Sequence, residues 1–473
     1  MPEPGPGSGP EPEPAPAPVP GPTAVSVRRE RLVAIDIART FAIFGMMAVH
    51  LNLGYLHEGG PFTPLSWAGG FAAGGFAVLA GAAISLSSRP RDSWAVAWVR
   101  AGFRGVALFA LGVALDFHAA PVIVILCVYG ALFVIAVPFR RLSTRALATV
   151  GLVMVFVNPV VSFLVRDWLG PATNPEGAHY AVTWPMITGP NPVRAVLQTL
   201  FLDGEYPLTT WLPLALVGWA AHRSGLLARS ERRRLAALAA ALVVLSFGGS
   251  WVIEALTHVR ADKVDVAYES LRAASPPESE LSPESLAQRE QLVESIVDEG
   301  FSEHEAREAV FPNYTRADAA LFVDGGAGVP PGDDWDGLLM AGHHTGTTLE
   351  MLQILAVTAS FVAGGWLLVG ASQRLGTLLS WPGRISLTLY TAHLLIRNRL
   401  ITWGWLRWAD TRGEAFWQVM AWWAFALLAG FVWRNRRGPL EWLMYRWVRC
   451  GEWIVSRGAR EVVAASPGRL ADG

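Results

Sequence analysis

Ten apolar segments, each long enough to cross a bilayer as a slightly tilted helix, recur along this chain of 473 residues. They cover residues 33–53, 68–87, 100–117, 120–138, 146–165, 208–222, 235–257, 347–370, 385–403 and 415–433. The sixth is the weakest, because it is short and contains Pro213. Charged residues make up only 16% of the chain and apolar residues 52%, unlike a soluble enzyme of this length. The sequence therefore predicts an all-α fold, a polytopic membrane helix bundle of about ten transmembrane helices.

The arginines of the short polar segments predict the orientation of these spans. Cytoplasmic loops of membrane proteins carry an excess of basic residues. With the N-terminus inside, twenty-one arginines fall in cytoplasmic segments and four in short outer loops. Those four are Arg166, Arg194, Arg407 and Arg412. This asymmetry predicts that both termini are cytoplasmic, as in a multi-pass protein of the cell (plasma) membrane.

Composition divides the chain into five parts. Residues 1–27 form a Pro/Gly/Glu-rich tail that we expect to be disordered, so the first span itself would be the targeting signal. A membrane domain of about seven spans follows in 28–257, an acidic extracytoplasmic insertion in 258–346, and about three further spans in 347–433. Residues 434–473 form a cytoplasmic tail whose arginines and tryptophans predict an amphipathic helix on the inner leaflet.

The insertion in 258–346 is rich in Asp and Glu. Within it, SPESLAQREQLVESIVDEGFSEHEAREAV predicts two short amphipathic helices, the first starting near Ser282 or Glu284. Such a segment could cover an outer pocket as a lid, or it could be a variable insertion, and the second interpretation is favoured. Its acidity argues against nucleic acid as a partner.

The first span carries ionisable residues on one face. Asp36, Arg39, Ile43 and His50 follow one another at helical spacing, which places them in a narrow stripe. Because charges inside a membrane are costly, such residues usually face a bundle interior or an aqueous path. With a rise of about 1.5 Å per residue, Asp36 and His50 stand roughly 21 Å apart, most of the hydrocarbon depth. The stripe could line a route across the membrane, or Asp36 and Arg39 could only fix helix packing.

Other polar residues lie at the predicted outer ends of the spans. His50, Asp116, His118 and His344 end or precede different spans, so they could converge on one outer pocket. For each residue except His50, a solvated position in a loop is favoured over a catalytic role. The pair His343–His344 gives too weak a ligand pattern to predict a metal site.

Several segments resemble a known family. The opening RLVAIDIARTFAIFGMMAVH is similar to the first-span signature of the membrane acyltransferase superfamily. The segments GGFAAGGFAVLAGAAISLSSR, LGVALDFHAAPVIVILCVYGALFVIAVP and DGEYPLTTWLPLALVGWAAHRSGL resemble the heparan-α-glucosaminide N-acetyltransferase catalytic domain and its bacterial relatives. The later segments HHTGTTLEMLQILAVT, PGRISLTLYTAHLL and RRGPLEWLMYRW resemble a related bacterial membrane family of unknown function. Thr40 departs from the pattern, which has Gly after the arginine.

The resemblance implies an enzyme, a membrane acyltransferase. It would move an acetyl group from cytoplasmic acetyl-CoA, a co-substrate and not a bound cofactor, to an extracytoplasmic hydroxyl or amine of a glycan or lipid. His50 takes the place of a catalytic polar residue, and His57 is the nearest match to the catalytic histidine that follows it. Arg39, Arg100 and Arg104 are the arginines best placed for the CoA phosphates. Tyr206, Trp211 or His57 could donate to a developing oxyanion. The substrate-binding candidates are Asp36, Arg39, Asp116, His118, Tyr206, Trp211 and His344.

Two other function classes stay open at this point. Ten spans with an intramembrane Asp–Arg pair also suit a transporter or flippase, although the two halves show no internal repeat and no paired broken helices. A membrane scaffold without activity is the third interpretation. Membrane lipid is a partner in every case, and a homodimer is left open.

Overall fold

The structure is a computed structural model that describes residues 24–57, 68–87, 92–119, 122–169, 181–298, 335–403, 405–406 and 411–464, with scattered positions between 303 and 323. Within these residues the chain forms sixteen α-helices and no strand. They are α1 (Ala24–His57), α2 (Ala68–Ser87), α3 (Trp94–Ala119), α4 (Leu126–Ile135), α5 (Thr144–Leu169), α6 (Trp184–Thr188), α7 (Pro192–Gln198), α8 (Leu208–Arg223), α9 (Arg232–Thr257), α10 (Val259–Ala274), α11 (Pro283–Asp298), α12 (Thr348–Ala371), α13 (Gln373–Arg384), α14 (Ser386–Thr402), α15 (Arg412–Val432) and α16 (Pro439–Ala464).

Seven of these helices are long and apolar enough to cross a membrane, so the predicted all-α polytopic membrane bundle is confirmed. The candidate spans are Val33–Leu51, Ala68–Ser87, Trp94–Phe117, Thr144–Leu169, Arg229–Thr257, Thr348–Ala371 and Arg412–Val432. The other three predicted spans coincide with the shorter helices α4, α8 and α14, of 10, 16 and 17 residues. The tail predicted in 1–27 lies outside the described residues up to position 23, and α1 begins at Ala24.

Helix α1 lies in the middle of the bundle. It packs against α2, α12, α13 and α15, and most of its membrane-spanning part is buried. By contrast, α5 and α9 expose much of their apolar surface, as helices that face lipid do. The residues that reach the centre of the molecule therefore come from α1 and its neighbours.

Small residues allow the central helices to approach closely. A Cβ added at Gly81 of α2 would lie 1.9 Å from the carbonyl oxygen of Ala215 in α8, and one at Gly218 of α8 would lie 2.0 Å from that of Val78. Only glycine fits at such distances, and small residues are typical of helix contacts in membranes. This contact holds the short helix α8 deep in the bundle.

Alternating helix directions bring the predicted cytoplasmic residues to one end of the bundle. This arginine-rich end is defined by Arg100, Arg140, Arg223, Arg384 and Arg437. Its loops are joined by arginine side chains, since Arg223 donates to the carbonyl oxygen of Leu142 and Arg384 to that of Arg434. The opposite end carries the start of α8, the start of α12 and the insertion.

The insertion and the tail differ in how they join the bundle. In the insertion, α11 begins one residue after Ser282, whose hydroxyl accepts from the backbone N–H of Ser285 as expected for a cap. The insertion also has small apolar clusters of its own, such as the one around Val264 and Met340. In the tail, α16 packs on α3, where Trp447 donates its indole N–H to the carbonyl oxygen of Phe103 at 2.8 Å. The tail helix therefore packs against the bundle at the arginine-rich end.

Candidate active site

The stripe predicted on α1 faces the interior of the bundle. Asp36 is only 7% exposed, and its Oδ1 accepts a hydrogen bond from Nη1 of Arg39 at 3.2 Å. Nε of Arg384, at the end of α13, lies 3.6 Å from the other carboxylate oxygen. The predicted pairing of Asp36 with Arg39 is thus present, and a third charged group from another helix completes it.

A large cavity lies at the arginine-rich end, between α1, α2, α3, α4, α14 and α16. Its volume is about 700 Å³. Arg39, Ile43 and Met46 line it along one face of α1, so the predicted stripe forms one of its walls. Asp36 does not line the cavity itself, but both of its arginine partners, Arg39 and Arg384, do.

The lining of this cavity is strongly basic. It includes two glutamates, Glu441 and Glu452, and six arginines. The arginines are Arg39, Arg100, Arg104, Arg384, Arg437 and Arg449.

Two of the arginines predicted to bind the CoA phosphates differ in their partners. Arg100 is bound by Asp92 at 2.6 Å and by Glu452 at 2.7 Å. Arg104 packs over the ring of Phe133 and has no carboxylate partner among the described residues. A positive charge that faces a cavity without a counter-ion is suited to a phosphate ligand.

The deep end of the cavity is aromatic. Tyr129 and Tyr390 line it, and the buried hydroxyl of Tyr129 has no hydrogen-bond partner in the part of the chain that the structure describes. Tyr390 accepts from the backbone N–H of Ile125 and packs edge-on against the ring of His393, with 5.6 Å between the centroids. The cavity therefore ends beside a buried histidine of α14.

His393 is paired with His50, the residue at the far end of the stripe. Nδ1 of His50 lies 2.8 Å from Nε2 of His393, and Nδ1 of His393 lies 3.1 Å from the carbonyl oxygen of Leu389. His393 is 1% exposed, whereas His50 keeps part of its surface accessible. The polar stripe of α1 thus leads from Arg39, along the cavity wall, to a pair of imidazoles.

A second polar group lies at the opposite end of the bundle. His344 has a left-handed backbone, with φ of 57°, and its Nδ1 lies 3.5 Å from Oε1 of Glu205. The buried carboxylate of Glu350 accepts from the backbone N–H groups of His344 at 2.6 Å and Gly346 at 2.7 Å. Glu350 thereby fixes the HHTG loop, a role that the sequence pattern did not suggest.

Burial shifts the pKa values of the ionisable groups in this cluster. Burial, and then the neighbouring His343, lower the pKa of His344 to about 3. Burial, and then the Glu350 carboxyl, raise the pKa of Glu205 well above its usual range. Both shifts favour the uncharged form of the group, which is a protonated carboxyl for Glu205 and a neutral imidazole for His344.

Aromatic contacts connect the two ends. The ring of Tyr206 lies 5.3 Å from that of His344 and 5.2 Å from that of Trp211. Trp211 in turn contacts Tyr129 at 5.3 Å. Burial, then Glu205 and Tyr390, raise the pKa of Tyr206. Tyr206 and Trp211 thus lie between the cavity and the outer group.

Of the remaining predicted site residues, the structure describes the side chain of Asp116 only. Asp116 is half-buried near the end of α3, and it lines neither the cavity nor the outer group. His57 is the last residue of α1 and His118 the last but one of α3, and the side chains of both lie outside the described residues.

Residues 31–253 match the model of the family described as heparan-alpha-glucosaminide N-acetyltransferase, catalytic. This part of the chain is a heparan-alpha-glucosaminide N-acetyltransferase catalytic-domain-like region. The match supports a membrane-bound transferase of the acetyl-transfer type. No curated protein and no solved structure matches the chain.

The acetyltransferase-like region does not contain the whole site. Helices α2 to α8 and most of α1 lie within it, and they supply His50, Tyr129 and both arginines of α3. Tyr390 and His393, together with the arginines of α13 and α16, come from beyond residue 253. Sequence reasoning missed their role, although a histidine in the middle of the apolar segment 385–403 was a usable signal.

Proposed function

We propose that this protein transfers an acetyl group from acetyl-CoA, bound in the cavity at the arginine-rich end, to an acceptor that reaches His50 from the opposite side of the cell membrane. The acceptor is a hydroxyl or amine of an extracytoplasmic sugar or lipid. The orientation rests on the excess of arginine at the cavity end, which is typical of a cytoplasmic face.

One observation carries the proposal: a single cavity joins a cluster of six arginines to the surroundings of the His50–His393 pair. Arginine binds phosphate through a planar fork of donors, so the basic mouth suits the nucleotide part of CoA. The thioester arm is long and flexible, and the apolar side chains of Ile43 and Met46 offer it a path inward. Along α1 the distance from Arg39 to His50 is roughly 17 Å.

The chemistry needs a base, an acceptor and a site for the oxyanion. His50 takes the proton of the acceptor N–H or O–H as the acceptor atom bonds to the acetyl carbon. The carbon–sulfur bond then breaks, and the electron pair leaves on the sulfur of CoA. The buried hydroxyl of Tyr129, which has no hydrogen-bond partner among the described residues, is a candidate donor to the oxyanion, in addition to Tyr206 and Trp211. His57 helps to position the acceptor.

The test measures transfer in membrane vesicles supplied with radiolabelled acetyl-CoA. The substitution His50→Ala should lower transfer to glycan or lipid by about 10²- to 10⁴-fold, the range for loss of a positioned base. Binding of acetyl-CoA should persist, because the arginines are unchanged. The matched control is His222→Gln, since His222 bonds to Ser85 at the arginine-rich end and does not line the cavity.

A second arm tests the donor site. Arg104→Gln should weaken acetyl-CoA binding, and Arg374→Gln should not, because Arg374 is exposed at the same end and does not line the cavity. A wild-type rate for His50→Ala would assign the base elsewhere. If the intact protein neither binds acetyl-CoA nor acetylates any acceptor, the transferase proposal fails and a transporter takes its place.

A further inference from the structure

We infer that His393 is a positioning residue that fixes the tautomer and orientation of His50, so that the C-terminal spans complete the active site. This inference rests on the proposed function, because it assigns His393 a part in the same acetyl transfer.

The geometry of the pair is that of a hydrogen bond in the plane of both rings. The ring planes differ by only 8°, while the centroids are 5.1 Å apart and the two nitrogens 2.8 Å. The centroid separation exceeds the nitrogen distance by about the width of one ring, so the imidazoles meet edge to edge. In that arrangement a lone pair of one nitrogen points along the N–H bond of the other.

The backbone decides which nitrogen carries each proton. The carbonyl oxygen of Leu389 can only accept, so Nδ1 of His393, at 3.1 Å, must be the donor. In a neutral imidazole the other nitrogen is then an acceptor, so Nε2 of His393 receives the hydrogen bond. His50 therefore donates from Nδ1 and carries its free lone pair on Nε2. That lone pair is the one a general base needs.

Packing holds His393 in this orientation. Its ring is buried between Tyr390, at 5.6 Å, and Trp422, at 6.3 Å, both edge-on. The bond to Leu389 spans one turn of the same helix, which ties the imidazole to α14. Because packing fixes His393 on α14, its hydrogen bond sets the orientation of the half-buried His50 on α1. The two helices come from distant parts of the chain, 343 residues apart at this contact.

Two substitutions at His393 separate positioning from packing. In His393→Gln the amide oxygen can take the place of Nε2 as acceptor, whereas His393→Leu fills a similar space without any acceptor. We expect His393→Leu to lower kcat by about 10- to 100-fold, by analogy with the loss of a partner that orients a metal-bound imidazole. The KM for acetyl-CoA should change less than twofold, because the arginines are untouched. His393→Gln should recover most of kcat, and His222→Gln is the control for a general histidine effect.

The second measurement does not depend on activity. In protein labelled with ¹⁵N-histidine, long-range ¹⁵N–¹H correlation spectra report the tautomer of each imidazole, and the His50 signals are those lost in His50→Ala. Wild type and His393→Gln should show His50 protonated at Nδ1. In His393→Leu, the His50 imidazole should no longer be confined to that one tautomer.

The outcomes distinguish the two proposals. A wild type that transfers no acetyl group overturns the proposed function, while the spectra still decide whether His393 sets the His50 tautomer. Protonation of His50 at Nε2 in wild type overturns the positioning role, as do equal losses of kcat in the Gln and Leu variants or a wild-type rate in His393→Leu. If His393→Leu does not fold, the spectrum and rate of His393→Gln carry the test.

Discussion

Thr40 joins two helices through a single hydroxyl group. Its Oγ1 accepts from the backbone N–H of Gly383 at 2.9 Å and lies 2.5 Å from the carbonyl oxygen of Leu379, to which it can donate. The side chain is completely buried, and α13 approaches so closely that a Cβ at Gly383 would lie 1.9 Å from the carbonyl oxygen of Asp36. The departure from the family pattern at this position therefore serves the contact between α1 and α13.

This contact gives a test of stability at the residue scale. Thr40→Val keeps the shape of the side chain but leaves the Gly383 N–H and the Leu379 carbonyl without their partner. An unsatisfied buried group costs about 1–3 kcal/mol, so the free energy of unfolding should fall by that order. Thermal unfolding in detergent measures it, and the control is Thr377→Val at an exposed threonine of α13. Equal melting temperatures in wild type and Thr40→Val would contradict the role given to the hydroxyl.

The charge cluster at Asp36 gives a second test at this scale. Asp36→Asn removes the carboxylate that two arginines share, and breaking a buried ion pair from one side costs roughly 3–5 kcal/mol. We expect a lower folded yield, measured by gel filtration of detergent extracts. Arg384→Gln should cost less than Arg39→Gln, because the Arg384 side chain is 39% exposed and that of Arg39 18%. Normal yields in both Asp36→Asn and Arg39→Gln would rule out this account.

At the scale of elements, α16 closes the cavity from the arginine-rich side. Glu441, in its first turn, accepts from the backbone N–H groups of Leu387 at 2.8 Å and Thr388 at 3.1 Å, and from the Thr388 hydroxyl at 2.5 Å. These are groups that the start of α14 leaves unsatisfied, and a carboxylate there is also favoured by the helix dipole. One side chain thus caps α14 and holds the wall of the cavity.

The cap predicts that the helix and the donor site are coupled. Glu441→Ala should destabilise the fold by about 1–3 kcal/mol and weaken acetyl-CoA binding, since α14 and α16 both line the cavity. Unfolding and binding isotherms on the same purified protein measure the two effects. Arg446→Ala is the control, because Arg446 lies on the exposed face of α16. If Glu441→Ala loses stability but binds acetyl-CoA as tightly as wild type, the predicted coupling between the cap and the donor site is wrong.

At the scale of the whole molecule, the orientation in the membrane can be read from the protein's own cysteines. Cys450 is exposed on α16 at the arginine-rich end, and Cys127 is buried in α4. An impermeant maleimide should label Cys450 only after the inner face is opened, and it should not label Cys127. With both cysteines replaced, new ones at Ser143 and Ser230 should behave like Cys450, and one at Glu280 should react from outside. Labelling of Cys450 in intact cells would reverse the orientation and with it the assignment of donor and acceptor sides.

The fold class could be predicted because it depends on local sequence. Apolar runs of helix length are readable one at a time, and the spacing of Asp36, Arg39 and Ile43 placed them correctly on one buried face of α1. The pairing of Asp36 with Arg39 followed for the same reason, since both lie one turn apart on a single helix.

The sequence by itself thus determined the membrane bundle, the polar stripe and the place of His50 on it. Only the tertiary structure decided which groups lie against the stripe. His393 reaches His50 from a position 343 residues away, and Arg384 lies beside Asp36. Helix α16 forms the wall that closes the cavity lined by the arginines. The physical reason is that a helical period fixes which residues share a face of one helix. Which faces meet is fixed by close packing at small residues such as Gly383, and that depends on all the helices together.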